Sequence, residues 1–254
     1  MNGWQDVLRG PKDGDHIVQV YQEPGFLASA VAEYIGVGLQ QGEAAIVIAR
    51  PQHIKMFKRA LEDAGIDVAH ALSAGQLTLL DAERALSRFM RDGMPQWASF
   101  REQIGGAIAE MRRKYPVIRA YGEMVDLLWQ RGEQDAAIRL EEFWNELAKL
   151  QTFSLFCAYY LDNLDSRSYA GLHCICKVHS HLIPAREYDN FDETVARASE
   201  KVLDQPLARM LLSLSSIDRP NARMPIGQAI LLWLQKNMPM TAERVLAEIR
   251  ASTP

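Results

Sequence analysis

Apolar and polar positions change period repeatedly along the first two thirds of the chain, and the changes spell out strands separated by helices. His16-Ile17-Val18-Gln19-Val20-Tyr21 is a largely apolar run of strand length. Pro24-Gly25 breaks it, and Phe26, Ala30, Tyr34 and Val37 then recur at helical spacing as far as Leu39. Gly42 resets the chain before Ala44 to Ala49, a continuous apolar run that predicts a strand covered on both faces. Pro51 opens a second helix through Ala64, with Gly65 as its stop. Further strands are predicted at Gln76 to Leu80, Val117 to Tyr121 and Phe153 to Tyr159, with helices within Ala82 to Tyr115 and Glu123 to Leu150. Five strands separated by helices predict an α/β fold with a mostly parallel sheet and right-handed crossovers. Ligands of such sheets lie beyond the carboxyl ends of the strands. Those ends are Tyr21 and Gln22, Arg50, Asp81, Tyr121 to Glu123, and Tyr159 to Asp162.

After Pro184 the strand signal stops. Phe191 to Leu203, Leu207 to Leu214, Ile226 to Gln235 and Thr241 to Ile249 read as short helices, punctuated by Pro206, Pro220, Pro225 and Pro239. Leu211, Leu212, Leu214, Ile230, Trp233 and Leu234 are too apolar to stay in water, so these helices are expected to pack on the core or on a second subunit. The pattern divides the chain into an α/β domain, 1–184, and a helical extension, 185–254.

Composition narrows the function classes. With 48% hydrophobic and 24% charged residues the chain can bury a full core. A net charge of −4, with no basic stripe, argues against a nucleic-acid partner, and residues 185–254 carry nine basic and nine acidic side chains, which gives a DNA-reading helix pair no support. The polar start, Met1 to Gly14, has no signal-peptide core, and no apolar run is long enough to span a bilayer, so a cytoplasmic protein without a membrane partner is expected. Cys157, Cys174 and Cys176 are sparse and odd in number, as reduced thiols would be.

The turn after the first strand is where a phosphate-binding α/β protein carries G-x-x-x-x-G-K-[ST]. Here it reads Tyr21-Gln22-Glu23-Pro24-Gly25-Phe26-Leu27-Ala28-Ser29, without the lysine; Glu23 would repel a phosphate and Pro24 removes a donor. Arg119 and Glu123 flank the end of a buried strand, where an arginine needs a partner, and Glu123 is one candidate. Glu141 and Asn145 are four apart on a predicted helix, beside the apolar stripe of Ala137, Leu140, Trp144 and Leu147. With Tyr21 and Tyr159 these make a candidate ligand-binding set expected to converge at one sheet edge: Tyr21, Arg119, Glu123, Glu141, Asn145 and Tyr159.

Between His173 and His181 the chain packs three histidines and two cysteines, ligand types for zinc or copper, with Cys176, His179 and His181 as the metal candidates. Neither C-x-x-C nor H-x-x-x-H occurs there, so the spacing favours buried thiols and a histidine turn cap over a metal site. No cofactor is named by any motif. The absence of a G-x-S-x-G elbow leaves hydrolase chemistry unsupported, and the sequence points away from an enzyme.

Four ordered motifs carry a resemblance. Arg119-Ala120-Tyr121-Gly122-Glu123-Met124, Leu140 to Leu147, Phe156-Cys157-Ala158-Tyr159, and Cys176 followed by His179-Ser180-His181-Leu182-Ile183-Pro184 resemble the MEDS domain, the methanogen/methylotroph DcmR sensory domain. The likeness takes in His16 to Tyr21 and the Gly38 to Gly42 turn, so it covers about Asp15 to Pro184. It implies a RecA/KaiC-like core used as a sensor, which here has a degenerate phosphate loop. The expected function is sensing of a small molecule or signalling protein, relayed through the C-terminal helices without ATP hydrolysis, with a homodimer left open. A nucleotide-binding protein or enzyme with a rebuilt phosphate site is the alternative.

Overall fold

The computed structural model describes residues 3–161, 175, 178–183, 188–217 and 226–252. Its centre is a six-stranded sheet, every neighbouring pair parallel, in the order β3-β2-β6-β7-β1-β8. The strands are β1 (His16–Tyr21), β2 (Ala44–Ala49), β3 (Leu77–Asp81), β6 (Ile118–Gly122), β7 (Ser154–Tyr160) and β8 (His181–Ile183). Five of them stand within a residue of the ends predicted above, because fully buried strands are continuous apolar runs that are hard to misread. β8 is three residues long, too short to declare itself by period, and no strand is predicted there from the sequence.

Helices cover both faces. On one lie α1 (Gly3–Arg9), α2 (Pro24–Gln40), α3 (Pro51–Asp63) and α4 (Val68–Ser73), enclosing an apolar core that includes Ile17, Tyr34, Val47, Phe57, Tyr121 and Phe156. On the other lie α5 (Ala82–Phe89), α6 (Trp97–Phe100), a π-helical turn (Arg101–Gly105) leading into α7 (Gly106–Arg112), α8 (Met124–Gln130) and α9 (Gln134–Leu150). A hairpin, β4 (Met90–Arg91) and β5 (Met94–Pro95), interrupts the helical stretch predicted for Ala82 to Tyr115. Its turn is Asp92-Gly93, with φ of 51° and 76°, the left-handed pair that a two-residue hairpin demands.

The C-terminal helices are α10 (Tyr188–Val202), α11 (Gln205–Ile217), α12 (Ile226–Asn237) and α13 (Pro239–Ser252). α12 packs against the other three, and its start is capped by Asp192 of α10, whose carboxylate accepts from Gly227 N at 2.7 Å and Ile226 N at 3.2 Å. Val195, Leu211, Ile230, Leu234, Val245 and Ile249 belong to the same continuous apolar core as Val18, Leu140, Tyr159 and the rest of the α5–α9 side of the sheet. Of the residues expected to be buried here, Leu211, Ile230 and Leu234 are, and Trp233 is partly so. Leu212 and Leu214 are exposed instead, beside Leu207, Met210 and Ile217. No helix among the described residues is long and apolar enough to cross a membrane.

One glycine is required by the path of a buried side chain. A Cβ on Gly38 would stand 2.5 Å from Arg119 Nε, 2.7 Å from its Cδ and 2.9 Å from Glu43 Oε2. Glycine to alanine inside a helix ordinarily gains up to about 1 kcal/mol. Gly38→Ala is expected to reverse that sign and cost about 1 to 3 kcal/mol by displacing the guanidinium. Gly36→Ala on the same helix is the control, since its Cβ meets nothing closer than Leu61 at 3.5 Å. Urea unfolding of the two variants checks the contrast.

Candidate functional site

The side chains singled out from sequence fall into three groups. Arg119 lies at the amino end of β6, in register with Ala45 and Ser154. Its guanidinium is wholly enclosed, bonded to the Glu43 carboxylate and donating to the carbonyls of Leu8 (2.9 Å), Tyr34 (2.8 Å) and Arg9 (3.1 Å). Two of those carbonyls end α1, where a helix leaves acceptors unpaired. The partner considered for Arg119, Glu123, is therefore corrected to Glu43. Four residues apart is contact distance on a helix, but in a strand it is about 13 Å.

Glu123 belongs to a second group, at the carboxyl edge. It accepts from the backbone N–H of Arg50 and lies 2.6 Å from His53 Nδ1, while Tyr121 donates to it at 3.3 Å. Arg50 reaches on to Asp126 at 2.7 Å, and Asp126 also accepts from Tyr160 N at 3.0 Å and Gln130 at 3.2 Å. Burial would lower the Arg50 pKa, but Asp126 and Glu123 outweigh it and hold the guanidinium charged. Burial pushes Asp126 above the usual carboxylate range even with Arg50 beside it. Tyr21 stands edge-on to His53 and Tyr160, its hydroxyl pushed up by burial and then by Asp126. The acids and bases of this edge are occupied with one another.

The third group lies on the α5–α9 face, inside the protein. His16 opens β1, and Cys157 and Tyr159 share a face of β7, which pairs with β1. Glu141 and Asn145 come from α9, and His179 directly precedes the turn into β8. Glu141 is 0% exposed, and its carboxylate accepts from the Tyr159 hydroxyl at 2.5 Å. One of its oxygens is 3.2 Å from His16 Nε2, and the other is 3.5 Å from His179 Nε2. Cys157 Sγ is 3.4 Å from His16 Nε2 and 3.9 Å from Glu141. The two imidazoles pack at 4.0 Å between centroids.

Outer contacts fix both imidazoles. His179 Nδ1 donates to the Ile175 carbonyl at 2.6 Å, and His16 Nδ1 to Asn145 Oδ1 at 2.9 Å. The Asn145 amide is itself oriented by donating to the Val178 carbonyl at 3.3 Å. Each ring therefore has its Nδ1 engaged outward and turns its Nε2 toward the Glu141 carboxylate. His179 Nε2, fully buried, has no hydrogen-bond partner among the described residues. Burial, then His16, pushes His179 down to about 4. Burial works to raise Glu141, but His179, His16 and Tyr159 outweigh it and hold the carboxyl below its ordinary value. Cys157 and Tyr159 are pushed well up by burial and by Glu141.

Of the six expected ligand-binding residues, Glu141, Asn145 and Tyr159 come together; Tyr21 and Glu123 lie at the carboxyl edge and Arg119 at the opposite one. His179 joins the buried group, whereas His181 is in β8, bonded to Ser180 at 2.9 Å and 3.9 Å from Asp15. His173, Cys174 and Cys176 lie outside the described residues. The profile of the MEDS family, described as the methanogen/methylotroph, DcmR sensory domain, matches residues 15–180. The chain belongs to the MEDS family. It begins its match one residue before His16 and ends it one residue after His179, so the whole buried cluster is MEDS sequence. No curated protein matches the chain.

Two members of this MEDS cluster, His16 and Cys157, were not picked out from the sequence as site residues. A period of two along β7 puts Cys157 on the face of Tyr159, and the same period puts His16 on the face of Val18 and Val20. What the sequence lacked was the β1–β7 pairing that sets those two faces side by side. Arg50, His53 and Asp126 were also unassigned, although Arg50 had been placed at a strand end.

Proposed function

We propose that this MEDS chain is the sensing part of a signalling protein, in which a small ligand at the His16–Glu141–Cys157–His179 cluster alters the pose of β8 and the C-terminal helices without ATP hydrolysis. The observation that carries this reading is the cluster itself: four ionisable groups and a tyrosine hydroxyl sealed in an apolar core, with one imidazole nitrogen left without a hydrogen-bond partner among the described residues. A fold does not gain stability from such a grouping, and groups of this kind mark sites built for a ligand. Its place supports relay, since Cys157 and Tyr159 share one apolar core with Ile230, Leu234 and Val245 of the C-terminal helices. The carboxyl edge serves this reading as the latch that holds α3 and α8 to the sheet, since its charges are already paired.

The connection from β1 to α2 speaks against nucleotide hydrolysis. Only Gln22 and Glu23 separate Tyr21 from the first helical residue, Pro24, too short a span to wrap a phosphate, and no lysine follows.

A thermal-shift panel of nucleotides, divalent metal ions and small metabolites tests the reading on the full chain. Mg-ATP is expected to leave Tm unchanged and to release no phosphate, while a true ligand raises Tm by several degrees in wild type but not in Glu141→Gln. Micromolar affinity for Mg-ATP, or a panel in which nothing depends on Glu141, overturns it.

A further inference from the structure

The buried cluster has the donor types, the spacing and the outer support of a metal site. One ligand atom from each of His16, Glu141, Cys157 and His179 lies within 4.8 Å of the other three, and the four residues are buried. A tetrahedral ion with bonds of about 2.0–2.1 Å to nitrogen and oxygen and about 2.3 Å to sulfur sets its ligand atoms about 3.3–3.8 Å apart. His16 Nε2 stands 3.2 Å from one Glu141 oxygen and 3.4 Å from Cys157 Sγ, which is 3.9 Å from that same oxygen, and His179 Nε2 is 3.5 Å from the other oxygen, all within a few tenths of an ångström of those edges.

The second layer fits equally well. Metal-bound histidines donate their other ring N–H to a carbonyl or carboxylate, which fixes the tautomer and aims the lone pair. Ile175 O and Asn145 Oδ1 do this for His179 and His16, and Tyr159 does the corresponding work for Glu141. These bonds aim both Nε2 atoms at the Glu141 carboxylate, so that two imidazoles and a carboxylate converge where a cation would be held.

We infer that His16, Glu141, Cys157 and His179 bind one divalent transition-metal ion of the zinc class. Binding sends the Cys157 thiol proton to solvent, and thiolate plus carboxylate then balance the two positive charges, so the core holds a neutral centre. Two nitrogens, an oxygen and a sulfur suit zinc rather than calcium or magnesium, which take oxygen ligands. Four protein ligands leave no open position, so the ion is held and does not act on a substrate. This rests on the cluster being the sensing centre and names its ligand. The ion ties β1, β7 and α9 to His179, two residues before β8, so its occupancy fixes the segment that runs on to the C-terminal helices.

The full chain, purified without chelators from zinc-supplemented cells, is expected to carry one zinc per molecule by mass spectrometry. After removal of zinc, cobalt(II) should give intense tetrahedral visible bands and a thiolate charge-transfer band in the near ultraviolet. Cys157→Ser is expected to lose the charge-transfer band, and His179→Ala to lose at least about 100-fold in cobalt affinity, whereas His181→Ala behaves as wild type. If the ligand variants do not fold, the wild-type protein decides alone: zinc must displace cobalt stoichiometrically, and chelation must lower Tm. Absence of bound metal together with absence of the cobalt bands overturns the inference, and so does an unchanged spectrum in Cys157→Ser. A Glu141-dependent shift with an organic compound in a chain that binds no metal would sink the metal assignment and leave the sensor standing.

Discussion

Replacing Arg119 with alanine is expected to remove about 3 to 5 kcal/mol of folding stability. The guanidinium answers four acceptors at once: the Glu43 carboxylate and the carbonyls of Leu8, Tyr34 and Arg9. It also lies over the Tyr34 ring at 5.5 Å. Alanine leaves a carboxylate that is mostly out of solvent without its cation, frees the carbonyl end of α1 and opens a void beside Gly38. A denaturant midpoint shifted with unchanged slope is the expected readout. Arg119→Met combined with Glu43→Leu should recover much of the loss, because an apolar pair of similar volume removes the stranded charge. A change below about 1 kcal/mol would mean that these bonds are not formed in solution and would return Arg119 to the list of ligand-binding candidates.

That expectation replaces the one suggested by the motif alone, and the difference shows what the sequence could convey. Continuous apolar runs located five strands to within a residue, and Gly65 marked the end of α3, where its φ is 81°. Asp92-Gly93 was an equally plain hairpin signal, overridden by the helical period on either side of it. Side-chain partners were legible only where they are local. Glu141 and Asn145 share a helix face by spacing, and both reach the same cluster. Arg119 finds Glu43 across 76 residues and Glu141 finds His16 across 125, distances at which only strand order decides who meets whom. Strand order follows from packing the whole chain, and no stretch of sequence states it.

The three polar groups differ in what each holds. The carboxyl edge joins α3 to α8 through Arg50, Glu123 and Asp126, and the amino edge joins α1 to the sheet through Arg119. In both, each carboxylate has a cation within reach, so each is complete as a structural fastening. At the cluster the groups that surround Glu141 are two imidazoles, a thiol and the Tyr159 hydroxyl, and no lysine or arginine is paired with it among the described residues. A carboxylate in that company has no permanently charged partner, and this asymmetry directs the search for a ligand to this place.

Deleting the residues after Pro184 is expected to leave a core that aggregates, or that melts at least about 10 °C lower than the full chain. In α12, Gly227 to Leu232 are buried at every position, as is Leu234, and a helix apolar on all sides must be surrounded. α10, α11 and α13 supply part of that surround. The rest of the cluster to which α12 belongs is continuous with Leu128, Leu140, Tyr159 and Leu182 on the sheet side, so removing the helices strips cover from the core as well as from themselves. Each large apolar side chain returned to water costs about 1.5 to 3 kcal/mol, and loss of cover for two or three reaches the predicted shift. Light scattering and calorimetry on the two lengths measure it. A truncated chain that stays monodisperse and melts with the parent would make the four helices an independent bundle, and the signal would then have to reach them through β8 and the chain that follows it rather than through a shared core.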